Sequence, residues 1–230
     1  MSAVATTARR SILLFIWESF PQSGWARRHD RVPVIGRGVT AALPHGALCE
    51  ARAVHDDLLG AIASLRATRR FAPTPVDAAH VDRILEAARW TGSARNRQPW
   101  RVVAVDDPAR LEALSRLGAY AQFVRGAPLA LLLAIDRERG AADAEFDAGR
   151  LGQSIMLAAH ALGLGSCPAT VFPSENVAAA TALAGLAPPW GVRTLVAVGH
   201  PDAGPPPPGR SAIPRGRMPL PRLRGDGEGP

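Results

Sequence analysis

The sequence predicts a mixed domain of helices and strands, preceded by an irregular N-terminal stretch. Three observations carry this. From about Ala53 onward, segments with a helical apolar period alternate with short apolar runs of strand length. The composition, 47% hydrophobic and 20% charged over 230 residues, is that of a globular chain and excludes disorder throughout. The longest apolar runs, Ile12 to Trp17 and Ala127 to Ile135, fall far short of the ~18 residues a membrane-spanning helix requires.

Residues 1–55 show no sustained period, and only 11–18 could form a short helix. They read as a poorly ordered extension. A translation start assigned too far upstream would explain them, and native peptides from residues 1–40 would exclude that explanation. The opening ARRSILLFIWES faintly imitates an export signal, but its apolar stretch stops at Glu18 and no small-residue cleavage site follows promptly. A cytoplasmic protein is expected.

The regular part begins with a helix over His55 to Leu65, with Leu58, Leu59, Ile62 and Leu65 on one face. Two prolines in RATRRFAPTPV stop it. Asp77 caps a second helix to about Trp90, with Val81, Ile84, Leu85 and Ala88 inward. Trp100 to Val105 reads as a strand. Asp107-Pro108 opens another helix by cap and first-turn proline. Ala127 to Ile135, continuously apolar, reads as a fully buried strand. Asp143 to Leu164 is a long helix striped by Phe146, Leu151, Ile155, Ala158 and Leu162, ended by Gly163 and Gly165. Ser166 to Val171 is extended, Ser174 to Leu183 helical, and Val192 to Gly199 a strand. Pro205 to Pro208 should adopt polyproline II and serve as a linker to the tail.

That order alone allows a doubly wound sheet. The nucleotide-binding signature is missing, however. GLGSCP places Pro168 where a third glycine should stand, and it follows a helix rather than a strand. No Walker A, GxSxG or paired-carboxylate motif appears. Cys49 and Cys167 are too few for a disulfide framework, and the six histidines lack metal-ligand spacing. No metal is expected. His160 reads as a satisfied core or interface histidine, and Cys167 as a small packed residue.

The formal charge is +7, and all 27 basic side chains are arginine. Arginine suits phosphate, so nucleic acid is the first partner to weigh. Abundant Ala, Arg, Gly and Pro point instead to a GC-rich coding sequence as the reason lysine is absent. The excess charge is also terminal, because residues 58–204 hold 15 arginines against 13 acids. A nucleic-acid binder should interleave clustered basic residues with exposed aromatics, and these arginines are spread out. Without lysine, Schiff-base and P-loop lysine chemistry are excluded.

Three clusters carry candidate chemistry. Arg66, Arg69 and Arg70 lie at a helix end. Ser93-Ala-Arg-Asn96-Arg-Gln98-Pro99-Trp100 leads into a strand. Arg215-Gly-Arg217-Met-Pro219 lies in the tail. If the fold makes the arginines converge, they form an anion site, each charge-assisted hydrogen bond being worth about 1.5–3 kcal/mol. The amides of Asn96 and Gln98 suit a heterocycle edge of alternating donors and acceptors. Taken singly, each cluster reads equally well as a solvated surface.

Taken together, TRRFAPTPV, ILEAARWTGSARNRQPWRVVAV, LAAHALGLGSCP, VAVGHP and RGRMPLP resemble the FMN-dependent nitroreductase superfamily over about residues 58–224. The SxxNxQPW and GLGS blocks are the specific ones. The resemblance implies an α+β fold, a mostly antiparallel central sheet wrapped by helices, in a homodimer with FMN at each interface site. It implies residues 56–224 as the FMN-binding domain and 225–230 as a flexible tail. Arg66 and Arg69, with the backbone at Ala67, match the motif at the ribityl-phosphate and pyrimidine side. Ser93 and Asn96, with Gln98 in the same block, match positions reaching FMN from the other subunit. Pro168, Ala169, Thr170 and Val171 match the stretch beside the isoalloxazine, with a backbone N–H near Val171 facing N5. Arg215 and Arg217 match the phosphate motif.

The implied activity passes reducing equivalents from NADPH or NADH through flavin N5 to a nitroaromatic, quinone or similar small acceptor, in ping-pong order. No side chain is assigned a catalytic role, since N5 carries the chemistry. Alternatives are a relative using the same site for dehalogenation or flavin destruction, or a flavin-binding protein without turnover. Neither nucleic acid nor membrane is an expected partner. The sequence departs from the family pattern at Ala67, where many members are polar, and at Thr170 and Val171, where some have an acid and a glycine. The short link from Ile135 to Asp143 leaves little room for helices covering the flavin, so an open, shallow substrate site is expected.

Overall fold

In the computed structural model, which describes residues 58–202, 204 and 216–225, helices and strands follow one another in the expected order. They are α1 (58–64), α2 (Ala78–Arg89), β1 (Trp100–Val105), α3 (Pro108–Ser115), β2 (Leu129–Asp136), the single turn α4 (Arg137–Gly140), α5 (Ala144–Ala161), β3 (Gly165–Thr170), α6 (Asn176–Leu183), β4 (Trp190–Gly199) and α7 (Leu220–Arg224). The expected N-terminal extension, the proline run and residues 226–230 lie outside the described residues.

The four strands form one sheet in the order β1-β2-β4-β3, antiparallel at every step. Of the two arrangements the element order allows, the doubly wound one is therefore not adopted. Val105 lies opposite Ala130, so β2 starts at the end of the sheet where β1 stops. The connecting α3 has eight residues, about 12 Å of rise, and a 3-10 turn at Gln122–Gly126 returns the chain to that end. The continuous apolar run of β2 is explained without parallel pairing. The strand is central, and helices cover both of its faces, so every residue but Asp136 is buried. On one face Leu132, Ala134, Leu195 and Val192 pack with Leu111, Leu114 and Ala180 of α3 and α6. On the other, Leu131, Leu133, Val196 and Val198 pack with Ile84 of α2 and Leu151 and Ile155 of α5.

Local signals explain several helix ends. The Asp107 carboxylate accepts the Arg110 N–H, and Pro108 occupies the first turn of α3. Gly163, at φ +75, ends α5 in the left-handed conformation. Asp77 precedes α2 as expected but makes no side-chain cap bond.

The stripe expected on α5 holds at Leu151, Ile155, Ala158 and Leu162 and fails at Phe146. Phe146 is 69% exposed, and the buried positions are Ala144, Asp147, Ala148, Leu151, Gly152, Ile155 and Ala159. Small residues set this face. Ala144, Ala148, Gly152 and Ala159 let the helix lie close on the sheet alongside Leu151 and Ile155, and no bulky side chain is needed at the level of Phe146. The face expected on α1 exists but is uncovered among the described residues, with Leu58, Leu59 and Ile62 half or more exposed.

Leu133 is fully buried between the sheet and α5. Leu133→Ala should lower stability by about 2–5 kcal/mol, read from urea unfolding at fixed protein concentration.

Candidate functional site

The segment after α1 runs along the outer edge of β3. Ala67 bridges Ser166 in parallel, and the Thr68 N–H donates to the Ser166 carbonyl at 2.8 Å. This approach depends on Gly165, where an added Cβ would lie 2.6 Å from the Thr68 side chain. The GLGS and RATRR stretches are thus complementary, one lacking a side chain where the other inserts one. Beyond it, the Ala72 N–H donates to the His200 carbonyl and Arg70 pairs with Asp202 at 2.5 Å. The Gly204 N–H, with Arg70, holds the Asp202 carboxyl below the usual range. The segment is pinned at both ends, and Arg66, Ala67 and Arg69 are left exposed beside the start of β3. Arg66 Nη1 also donates to the Ala63 and Leu65 carbonyls at the end of α1.

Along β3, Pro168 and Thr170 are exposed while Ala169 and Val171 are buried. The backbone alternates likewise. The Val171 N–H donates to the Arg193 carbonyl at 2.8 Å, which corrects the expectation that it stands open. Since that N–H faces β4, alternation turns the Thr170 N–H to the outer edge. Pro168 also lies at an outward position and has no N–H. Cys167 is buried, as expected. Burial pushes its thiol above the ordinary range, and nearby Arg69 opposes this less strongly.

The second cluster occupies another corner of the molecule, beside the start of β1. Arg95, Asn96 and Gln98 have φ of 52, 53 and 46, left-handed values costing about 1–3 kcal/mol each in non-glycine residues. Local bonds hold them. The Gln98 N–H donates to Ser93 Oγ at 2.8 Å, and Gln98 Nε2 donates to Asn96 Oδ1 at 2.9 Å. A polar stripe on the first half of α5 docks the segment almost residue by residue. Thr91 Oγ1 donates to Ser154 Oγ at 2.8 Å, and the Ala94 N–H donates to Asp147 Oδ2 at 3.0 Å. Arg97 reaches Asp143 at 3.6 Å and donates to the Gly140 carbonyl at 3.0 Å. The sequence reading passes over Asp147. Its available signal is the helical spacing of Asp143, Asp147, Arg150 and Ser154.

The two corners do not meet within one chain. Asp147 holds the Ser93–Gln98 loop near one end of α5, and His160, bonded to Ser64 Oγ at 2.9 Å, marks the other end beside Arg66. Thirteen residues of helix separate Asp147 from His160, about 20 Å. β1 and β3 are opposite edges of the sheet, about 14 Å apart over three strand spacings. Arg217 is exposed just before α7, with no hydrogen bond or ion pair to either corner among the described residues, and Arg215 lies outside them.

An open cleft of about 600 Å³ lies at the end of β3, lined by Val171, Phe172, Val177, Arg137 and Arg193. It opens on the α6 side of the sheet, whereas Pro168 and Thr170 point to the α5 side. Among the described residues no cluster of His, Cys, Asp and Glu could hold a metal, and no helix is long and apolar enough to cross a membrane.

A model described as the nitroreductase family matches residues 62–121 and 115–200, more than half of the chain. A protein of Methanothermobacter thermautotrophicus, described as an NADH dehydrogenase/NAD(P)H nitroreductase, is 32% identical over 122 residues. That match covers 52% of this chain and 64% of the relative, so it spans just under two thirds of the relative's length. An NADH dehydrogenase of Thermus thermophilus is 30% identical over 194 residues, covering 69% of this chain and 90% of its own. A solved structure from Desulfovibrio desulfuricans, described as a nitroreductase in complex with FMN, is 31% identical. It covers 71% of this chain and 98% of its own, with a TM-score of 0.57.

The burial of Cys167 sets its reactivity. In a Cys49→Ser background, alkylation at pH 8 should be at least about tenfold slower in the native protein than in urea, because the thiolate is suppressed and covered. Equal rates would contradict the placement.

Proposed function

Because the chain belongs to the nitroreductase family, we propose that it works as a cytoplasmic homodimer holding FMN at each of two interface sites. It takes reducing equivalents from NADH or NADPH and passes them to a nitroaromatic, quinone or similar small acceptor. The observation that carries this reading is the separation of the two corners. A single flavin touched by both the Arg66–Arg69 segment and the Ser93–Gln98 loop requires two chains, each supplying one corner. Exposed apolar side chains on α1 (Leu58, Leu59, Ile62) and α5 (Phe146) offer the surface such a pairing buries.

The residues present suit a flavin. Along the outer edge of β3 stand the exposed Pro168 and Thr170 side chains and the outward Thr170 N–H, a flat apolar seat with one donor. At its start, Arg66 and Arg69 bring guanidinium donors suited to the pyrimidine oxygens or a phosphate. When bound, FMN supplies hydride exchange at N5 between a reduced nicotinamide and the acceptor, each occupying the same face in turn.

The chain's own part is positional and electrostatic. Arg69 fixes positive charge at the pyrimidine edge, where negative charge develops on reduction. The Thr170 N–H, rather than that of Val171, would supply the donor to N5. Ala169 and Val171 lock that strand into the core from the other side. From the second chain, Asn96 Nδ2 and Gln98 Oε1 offer one amide donor and one acceptor, the remaining halves of the two amides being bonded to each other. Ser93 shapes that loop through its oxygen. The family resemblance assigns Arg215 and Arg217 to the phosphate, which they would hold by charge-assisted hydrogen bonds. The short connection between β2 and α5 leaves the outer flavin face open to solvent, which supplies protons.

The purified full-length chain should be yellow, release FMN on denaturation and be bleached by NADH or NADPH. A colourless protein that refuses added FMN would overturn the assignment. Arg69→Ala and Arg217→Ala should each weaken FMN binding by about tenfold or more, the loss of one charge-assisted contact. Unchanged affinity in either would remove that residue from the site. Initial rates against both substrates should give parallel double-reciprocal lines, and intersecting lines would exclude the ping-pong order.

A further inference from the structure

Asp147 is a buried carboxylate that the proposed function leaves unused. It is 1% exposed, in the middle of a helix face that packs on the sheet. Burying a charge is unfavourable unless it is paired or hydrogen-bonded. Oδ2 accepts the Ala94 N–H at 3.0 Å. Oδ1 has no hydrogen-bond partner and faces Arg150 Nη1 at 3.8 Å. The Arg150 guanidinium lies close over Gly92, where an added Cβ would fall 2.9 Å from its Nη2.

The Ala94 N–H is the first donor of the 3-10 turn Ala94–Asn96, the turn that contains the left-handed Arg95 and Asn96. Such a first-turn donor has no acceptor within its own turn, and the side chain of the preceding residue ordinarily caps a later donor of the turn. Here that residue, Ser93, makes no cap bond, because its oxygen is committed to the Gln98 N–H. The carboxylate from α5 satisfies the Ala94 donor from outside the turn, while the Ser93 oxygen closes the loop at Gln98. Asp147 and Ser93 therefore act in series. The first fixes where the turn starts, and the second fixes where Gln98 ends it.

We infer that Asp147 is a positioning residue for the flavin. By accepting the Ala94 N–H it holds Ser93, Asn96 and Gln98 in the arrangement they present to the flavin of the partner subunit. This rests on the function proposed above. It goes beyond that reading in assigning the geometry of the loop to a residue that touches neither flavin nor substrate.

The test uses the full-length protein, with FMN affinity from flavin fluorescence and the flavin midpoint potential as readouts. Asp147→Ala should weaken FMN about tenfold or more and shift the potential, the usual scale for losing a supporting partner. Asp147→Asn keeps an acceptor for the Ala94 N–H and should stay within about threefold of wild type on the same scale, with the potential restored. Leu151→Ala, on the same helix and turned into the core, controls for lost stability and should leave the potential unchanged. If Asp147→Ala does not fold, Asp147→Leu, close in size and without an acceptor, replaces it under the same criteria. The proposal is overturned if Asp147→Ala binds FMN with wild-type affinity and potential. It is equally overturned if Asp147→Asn behaves like Asp147→Ala, or if Leu151→Ala moves both readouts as far. A wild-type chain that binds no FMN is a different outcome, which removes the flavin reading itself.

Discussion

The packing of α5 along the sheet is the constraint on which the other features depend. The helix covers the central strands with a face built from alanine, glycine, leucine and isoleucine. Because it lies close, its two ends are fixed relative to the strand edges. One end carries the polar stripe that docks the segment before β1. The other ends at Gly163 and delivers the chain directly into β3, against which the Arg66–Arg69 segment is laid. A shift of α5 by one turn would undo the docking of the segment before β1 and displace the entry into β3, on which the Arg66–Arg69 segment is pinned. The distance between the two halves of the proposed site is therefore set by the length of one helix.

Much of the fold was legible in the sequence because the signals were local. The boundaries of β1 follow from the Asn96–Pro99 turn residues and the Asp107-Pro108 cap. The burial of β2 follows from an apolar run that no amphipathic strand would show. The direction of the strands was not legible from element order. That depends on where each connection returns the chain, and helix–strand alternation is common to parallel and antiparallel sheets. One residue of the α5 stripe, Phe146, was misplaced for a related reason. Hydrophobicity picks the bulky Phe146, whereas close approach to the sheet selects small residues, and a buried carboxylate on that face has no apolar signature at all.

The same division applies to the candidate site. The polar clusters picked out Arg66, Arg69, Ser93, Asn96 and Gln98, and the family resemblance added Pro168–Val171. They could not tell which backbone donor stands open, because that depends on strand register. Register gives the Val171 N–H to Arg193 and leaves that of Thr170. Nor could they show that the Ser93 oxygen and half of each amide in Asn96 and Gln98 are committed within the loop. The roles of the arginines separate in the same way. Arg70 and Arg97 tie segments together, Arg66 partly closes α1, and Arg69 is left facing the edge of β3. A lysine-free chain thus uses a single cation for mechanical and electrostatic tasks, and only contacts distinguish the two.

Pro168 stands at an outward-facing position of a strand that forms the border of the sheet. Such a border ordinarily invites another chain to add itself by backbone pairing, the first step towards aggregation. A proline there removes the donor that the added strand would need, and the ring stands in its way. With Ala67 and Thr68 already bonded at Ser166, the stretch from Pro168 to Thr170 cannot extend the ladder in regular register. With Leu117 accepting the Phe172 N–H and Gly118 set against the Thr170 carbonyl, the chain closes the far end of the same border with its own backbone.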